Sequence, residues 1–267
     1  MAEFSPRQNE IVQLARSSGR VAVEELAQRY NVSPQTIRKD LNELCDRHVL
    51  TRVHGGAIVA FGVENIAYEA RRQVAATEKR AIGAAAAALI PNNCSLFINI
   101  GTTTEEVATA LGGHEDLLVI TNNLNVALQL YRRPRIEVVV AGGPVRRTDG
   151  AVVGSSAIEL INQFRVDYAI IGASAIEADG TLFDFDHREV KVSQAILANA
   201  RHAILCADRS KLQRTAAVRI AHISQVQTFV TDGLGSSPIR DICRDRGIRL
   251  IEAAPYQNAD DEEPDGA

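Results

Sequence analysis

The sequence predicts a two-domain α/β protein: a small three-helix module closed by a β hairpin, then a larger domain built on an open, mostly parallel sheet. Two observations carry this. In the N-terminal part, apolar residues recur at helical spacing and are interrupted by capping and turn signals. Beyond residue 90, short apolar runs alternate with helical segments, the pattern of strands covered on both faces. The 267-residue length accommodates both domains, and a hydrophobic content of 46% is ordinary for a folded chain.

In the first module, Ile11, Leu14 and Ala15 mark a helix that follows Pro6 and stops near Ser18-Gly19. Val21-Ala22-Val23 reads as a short strand. A second helix covers about Glu24 to Tyr30, with Leu26 and Ala27 facing inward. Asn31-Val32-Ser33 is a turn; Ser33 then serves as N-cap and Pro34 takes the first helical position. The third helix runs to about His48, with Ile37, Leu41, Leu44 and Cys45 on its buried stripe.

Two short helices joined by a tight turn form a helix-turn-helix, whose second helix enters the DNA major groove with its N-terminal residues at the base edges. Here those residues are Ser33, Gln35, Thr36, Arg38 and Lys39. Gln can contact adenine, Arg or Lys guanine, and Ser or Thr a base or phosphate. A packing module with a solvated polar face would show the same polarity. The next segment weighs against that: Val49 to Ala57 reads as a strand, a glycine turn and a return strand, a wing directly after the recognition helix. Arg52 and His54 are placed on it, toward backbone or minor groove. A turn histidine without a ligand is the plainer role for His54. The expected partner is double-stranded DNA.

From Phe61 to Thr77 the pattern weakens, so residues 1–58 form the first domain and 59–77 a linker. A helix over Glu78–Ile90 opens the second domain, residues 78–253, with Ile82, Ala85, Ala86 and Leu89 on one side. Strands are predicted at Ser95–Ile100, Leu118–Thr121, Glu137–Ala141, Asp167–Gly172, His202–Ala207, Thr228–Thr231 and Arg249–Ile251. Helices are predicted at Glu105–Leu111, Asn123–Tyr131, Ala157–Gln163, Val190–Asn199 and Ile239–Arg246. This is a Rossmann-like alternation, and ligands of such sheets bind outside the carboxyl ends of the strands.

The polar signals fall at those ends. Gly101, Thr102, Thr103 and Thr104 join a strand to a helix start, a plausible phosphate cradle that could equally be a Thr-rich capping turn. Asn122 and Asn123 follow the second strand, Arg146 and Asp149 the third, and Asp208, Ser210 and Lys211 the fifth. Asp186, Glu189 and Lys191 sit in a charged segment, read as acid/base machinery, as ligand hydrogen bonding without turnover, or as a solvated loop. Together these residues suit a small phosphorylated polyol or sugar.

Arg7 with its helix, the run Val32-Ser33-Pro34-Gln35-Thr36-Ile37-Arg38-Lys39-Asp40-Leu41-Asn42-Glu43-Leu44, and Arg52-Val53-His54-Gly55-Gly56-Ala57 resemble the DeoR family of sugar-catabolism repressors. The resemblance continues through Ile100-Gly101-Thr102-Thr103, Thr121 to Ala127, Ala141-Gly142-Gly143 with Arg146, and Asp208-x-Ser210-Lys211. It implies a winged helix-turn-helix that binds operator DNA as a homodimer or homotetramer. It also implies a sensor domain similar to sugar-phosphate isomerases, used for binding rather than catalysis and without a cofactor. Glycerol 3-phosphate is the first effector candidate. The alternatives are a regulator answering to another sugar phosphate, an activator, and an isomerase- or deaminase-like enzyme tethered to DNA. Lys39 replaces a frequent Arg, Ser193-Gln194 a frequent Lys-Arg pair, and Gln213 a frequent Gly.

Composition sets the remaining bounds. Six acids from Glu252 onward account for more than the whole net charge of −4, so the rest of the chain is net positive. Residues 254–267 read as a disordered acidic tail. Cys45, Cys94, Cys206 and Cys243 form no Cys-x-x-Cys pair, so neither a metal site nor a disulfide framework is expected. The apolar stretch Ala84–Ile90 falls far short of the ~20 residues a membrane span needs. No secretory leader pattern opens the sequence, so the expected location is the cytoplasm, with no membrane partner.

Overall fold

The computed structural model describes residues 4–18, 20–47, 49–53, 55–59 and 68–254. The chain divides into two compact units, Met1–Val74 and Ala75–Ala267.

The first unit runs α1 (Pro6–Ser18), β1 (Arg20–Ala22), α2 (Val23–Tyr30), α3 (Pro34–Asp46), β2 (Leu50–Val53) and β3 (Gly56–Val59). Ile11, Ala15, Leu26, Ile37, Leu41, Leu44 and Leu50 close its core. Ser33 caps α3 by accepting a hydrogen bond from the Thr36 amide at 3.2 Å, and Pro34 fills the first turn. Strand β1 joins the hairpin, giving an antiparallel sheet in the order β1-β3-β2. This explains the glycine pair of the wing. A Cβ on Gly56 would lie 2.0 Å from the Val21 carbonyl oxygen, so any side chain there would expel β1. Val23, read as the end of the strand, instead opens α2, and its amide bonds the Gly55 carbonyl at 2.9 Å.

A charged residue sits within the core-facing surface of α3. Asp40 is buried and accepts from Arg7 Nε at 2.7 Å. One turn on, Glu43 accepts from Gln8 at 2.6 Å. These two bonds lock the first turn of α1 to the middle of α3. The stretch read as linker contains a short helix, α4 (Tyr68–Gln73).

The second unit opens with α5 (Ala76–Ala87), β4 (Cys94–Ile98), α6 (Thr102–Ala110), β5 (Leu117–Thr121), α7 (Leu124–Leu130) and β6 (Ile136–Val140). It continues through α8 (Ser155–Ile161), β7 (Val166–Ile171), β8 (Ala175–Ile176), β9 (Thr181–Asp184), α9 (His187–Ala198) and β10 (Ala200–Cys206). It closes with β11 (Val218–His222), β12 (Thr228–Thr231), α10 (Ile239–Asp245) and β13 (Arg249–Glu252). Seven strands form one parallel sheet in the order β13-β12-β10-β7-β4-β5-β6. Helices α5, α6 and α7 contribute to the core on one face, and α8, α9 and α10 to the core on the other.

The alternation pattern does not reveal β8, β9 and β11, which form a separate antiparallel sheet. Thr181–Asp184, read as part of a charged loop, is strand β9. Its Thr181 and Leu182 are buried, so no polar–apolar alternation marks it. Helix α9 accordingly starts at His187 and not at Val190, capped by Asp186, whose side chain accepts from the Arg188 amide. Among the described residues, no helix is long and apolar enough to cross a membrane.

Candidate DNA and metabolite sites

The first candidate site is the outer face of α3. Ser33, Gln35, Arg38 and Lys39 are exposed and Thr36 half-buried, while Ile37, Leu41 and Leu44 anchor the opposite side. The Ser33 and Thr36 hydroxyls lie 2.9 Å apart. Arg38 rests 3.7 Å from Glu24 of α2, an exposed pair that competes weakly with any base or phosphate. Arg52 lies on β2 opposite Ala57. His54 lies outside the described residues. One helix face therefore presents an amide, hydroxyls and two cations in the order the sequence places them.

The second candidate site gathers at the carboxyl ends of β4, β7 and β10. Gly172, just past β7, packs among them: a Cβ there would lie 3.8 Å from the Thr104 methyl and 3.9 Å from the carbonyls of Ile100 and Cys206. Gly101 takes φ 147° to turn β4 into α6. Thr102, Thr103 and Thr104 are all buried in the first turn of α6. They are not equivalent. The Thr104 hydroxyl donates to the carbonyls of Asn99 and Gly101, at 2.7 and 2.8 Å, and so secures the turn.

The positive side of this site is larger than the sequence reading. Asp208 and Lys211 are buried, and two further cations join them, Lys79 from α5 and Arg214. Burial alone would push the Asp208 carboxyl up. The charges of Lys211, Lys79 and Arg214 and a bond from Ser210 overcome it and hold the carboxyl below its ordinary range. Asp208 Oδ1 accepts from the Ser210 amide at 3.1 Å and from its hydroxyl, while Oδ2 is buried without a hydrogen-bond partner. Lys79, Lys211 and Arg214 thus bring their charges to the buried Asp208 carboxylate, beside which the half-buried Asp232 carboxyl is pushed up by its own burial and by Asp208. Lys79 follows the same phase as Ile82 and Ala86 on the buried side of α5, a signal that helical spacing could have supplied.

Arg146, expected among the ligand's cations, is committed elsewhere. It donates to Asp149 through Nε and Nη2 at 2.8 and 2.7 Å, to Asp186 at 3.0 Å and to Glu189 at 2.5 Å. Asp186, which Arg188 also engages, is held far below the usual carboxylate range by the two guanidinium groups, Arg188 first. Burial and the neighbouring Asp184 push Glu189 up to about 8 against the pull of Arg146. One guanidinium thus balances several acids, and Glu189 among them retains proton affinity. Asp186 and Glu189, weighed as an acid/base pair, both hold Arg146.

The asparagines divide in the same way. Asn123 caps α7 and donates to Glu105 at 3.0 Å, a structural role. Asn122, fully buried, donates to the Val152 carbonyl at 3.3 Å and leaves Oδ1 without a partner. Asn99, not singled out in the sequence, ties the end of β4 to Ser193 of α9 at 2.7 Å. Lys191 is not brought to the site. It is exposed, two residues from buried Glu189 and so on another face of α9.

A winged helix-turn-helix with a capped polar helix, joined in one chain to a parallel sheet whose strand ends gather buried cations, defines a ligand-responsive DNA-binding regulator. The chain belongs to the DeoR family. Residues 7–61 match the DeoR-like helix-turn-helix domain and residues 74–233 the DeoR C terminal sensor domain. It is 41% identical over 244 residues to the glycerol-3-phosphate regulon repressor of Escherichia coli, covering 91% of this chain and 97% of that one. It is 40% identical over 247 residues to the HTH-type transcriptional repressor CsqR of the same organism, covering 92% and 95%. Among solved structures, ribose 5 phosphate isomerase A from Neisseria gonorrhoeae aligns over 50% of this chain and 52% of its own, at 17% identity and a TM-score of 0.38.

Proposed function

We propose that this chain is a repressor of carbon-source catabolism genes, released from operator DNA by a small phosphorylated metabolite, with glycerol 3-phosphate as the first candidate. The observation that carries the reading is the gathering of Lys79, Lys211 and Arg214 about buried Asp208 at the strand ends, in a chain whose other unit offers Gln35, Arg38 and Lys39 on a capped helix. Lys79, Lys211 and the first turn of α6 take the phosphate; Asn122 Oδ1 accepts from a hydroxyl. Occupancy shifts the population toward a state in which paired recognition helices no longer match the half-site spacing. The likeness to a repressor of the glycerol-3-phosphate regulon supports the effector.

The test is a mobility-shift titration of the full chain on genomic fragments in moderate salt. One fragment class should bind in preference to the rest, and glycerol 3-phosphate should release it where glycerol and inorganic phosphate do not. Binding without preference among fragments overturns the repressor reading. Preferential binding released by a different sugar phosphate overturns only the effector.

A further inference from the structure

Four large apolar side chains stand exposed among the described residues: Leu128 (67%), Tyr131 (52%), Val140 (39%) and Val145 (49%). All belong to one margin of the second unit. Leu128 and Tyr131 lie one turn apart at the end of α7, Val140 ends β6, and Val145 follows in the next loop. Strand β6 is outermost in the sheet, and none of the described strands pairs with its free side. The opposite outer strand, β13, is bracketed by Arg249 and Glu252, and Glu252 also binds Arg240 at 2.7 Å. Strand β6 reads Ile-Glu-Val-Val-Val. It has none of the lysines, prolines or bulges that keep an edge from pairing.

The backbone of β6 dictates how a partner adds. The Leu117 amide donates to the Arg135 carbonyl at 3.2 Å, and the Ala141 amide donates to the Thr121 carbonyl at 2.8 Å. Arg135 and Ala141 therefore face β5. By strand alternation, the N–H and C=O groups of Ile136, Val138 and Val140 face outward. An antiparallel copy of β6 centred on Val138 then sets Val138 against itself, Ile136 against Val140 and Glu137 against Val139. No like charges meet in that register, and both outward polar rows are satisfied. The edge is complementary to itself, as a two-fold interface requires.

We propose that the β6 edge, flanked by Leu128 and Tyr131, is where a second copy of this chain adds, antiparallel about Val138, so that two sheets become one. The contact goes beyond the repressor reading and supplies it with the second recognition helix that paired half-sites need.

The test uses the full chain without DNA. Sedimentation should show an assembly for the unsubstituted protein, and Val140→Lys or Leu128→Glu should at least halve the assembled mass with circular dichroism unchanged. The two Val138 Cα atoms of such a pair lie about 5.5 Å apart. A short bifunctional thiol reagent should therefore join Val138→Cys into a covalent dimer that the unsubstituted chain does not form. A monomeric unsubstituted chain, an assembly indifferent to both substitutions, or an assembly in which Val138→Cys is not joined overturns the proposal. Fragment-selective DNA binding in any of those cases would leave the repressor reading standing, so the two failures are distinguishable.

Discussion

Replacing Arg146 with Met removes a guanidinium while keeping much of its side-chain volume. The side chains it serves are enclosed: Asp149 is 1% exposed, Glu189 9% and Asp186 16%. Asp186 keeps Arg188 at 2.8 Å, so its loss is partial. Glu189 already favours its protonated form up to about pH 8. Asp149, which loses a two-pronged partner, carries most of the cost. Removing one member of a buried ion pair costs roughly 3–5 kcal/mol, and we expect about 4 kcal/mol for Arg146→Met at pH 8. The pH dependence has a definite sign. Without Arg146, the enclosed acids hold protons more tightly in the folded than in the unfolded chain. Stability of the variant therefore rises as pH falls from 8 toward 5, and the gap to the unsubstituted protein narrows. Urea unfolding at the two pH values, followed by far-ultraviolet circular dichroism, reads both quantities. A loss below about 1 kcal/mol, or one equal at both pH values, would refute the placement of Arg146 at the centre of a buried charge cluster. Adding Asp149→Asn to the variant should recover part of the loss at pH 8.

Other expectations rest on single contacts. Ser33→Ala should cost about 1 kcal/mol of first-unit stability through loss of the cap, and Ser33→Asp should restore it; thermal unfolding of both variants measures this. Arg38→Ala should weaken fragment-selective binding by about 1–3 kcal/mol if Arg38 reads a base, and should instead weaken all DNA equally, with a flatter salt slope, if it contacts phosphate. Lys79→Met should abolish the thermal stabilisation by glycerol 3-phosphate, about 2.7 kcal/mol at a hundred times the dissociation constant, while leaving DNA affinity intact. Burial raises the Cys206 thiol far above its ordinary range and pushes Cys94 up to about 11. Alkylation at pH 8 should therefore modify Cys206 only in unfolding concentrations of urea, as mass spectrometry would show.

Much of the architecture is legible in the residues because the signals are local. Ser33-Pro34 sets the start of α3, and the apolar runs locate all seven parallel strands to within two residues at each end. The antiparallel sheet is not legible, because β8, β9 and β11 are short and Leu182, Ile220 and Ala221 are enclosed on the face that would otherwise alternate. In the site, Gly101, Thr102, Asp208 and Lys211 could be named from their loops, since each follows an apolar strand. The burial of Lys79 is signalled by its helical phase, but that it and Arg214 meet Asp208 depends on which strand end they approach, a property of topology and not of neighbours in sequence. Arg146 shows the converse. Its loop position was readable, but nothing near it in sequence reveals that Asp186 and Glu189, about forty residues on, claim its hydrogen-bond donors. Asp40 was hidden by its charge, although it shares the helical phase of Ile37, Leu41 and Leu44.

The position of Lys79 matters for how a signal leaves the sensor. It stands in the first turn of α5, a few residues after the boundary at Val74, so the first helix of the second unit also carries a cation of the proposed phosphate site. Under the proposed function, an anion that draws on this ammonium would load the opening turn of the sensor itself, with no relay through the sheet.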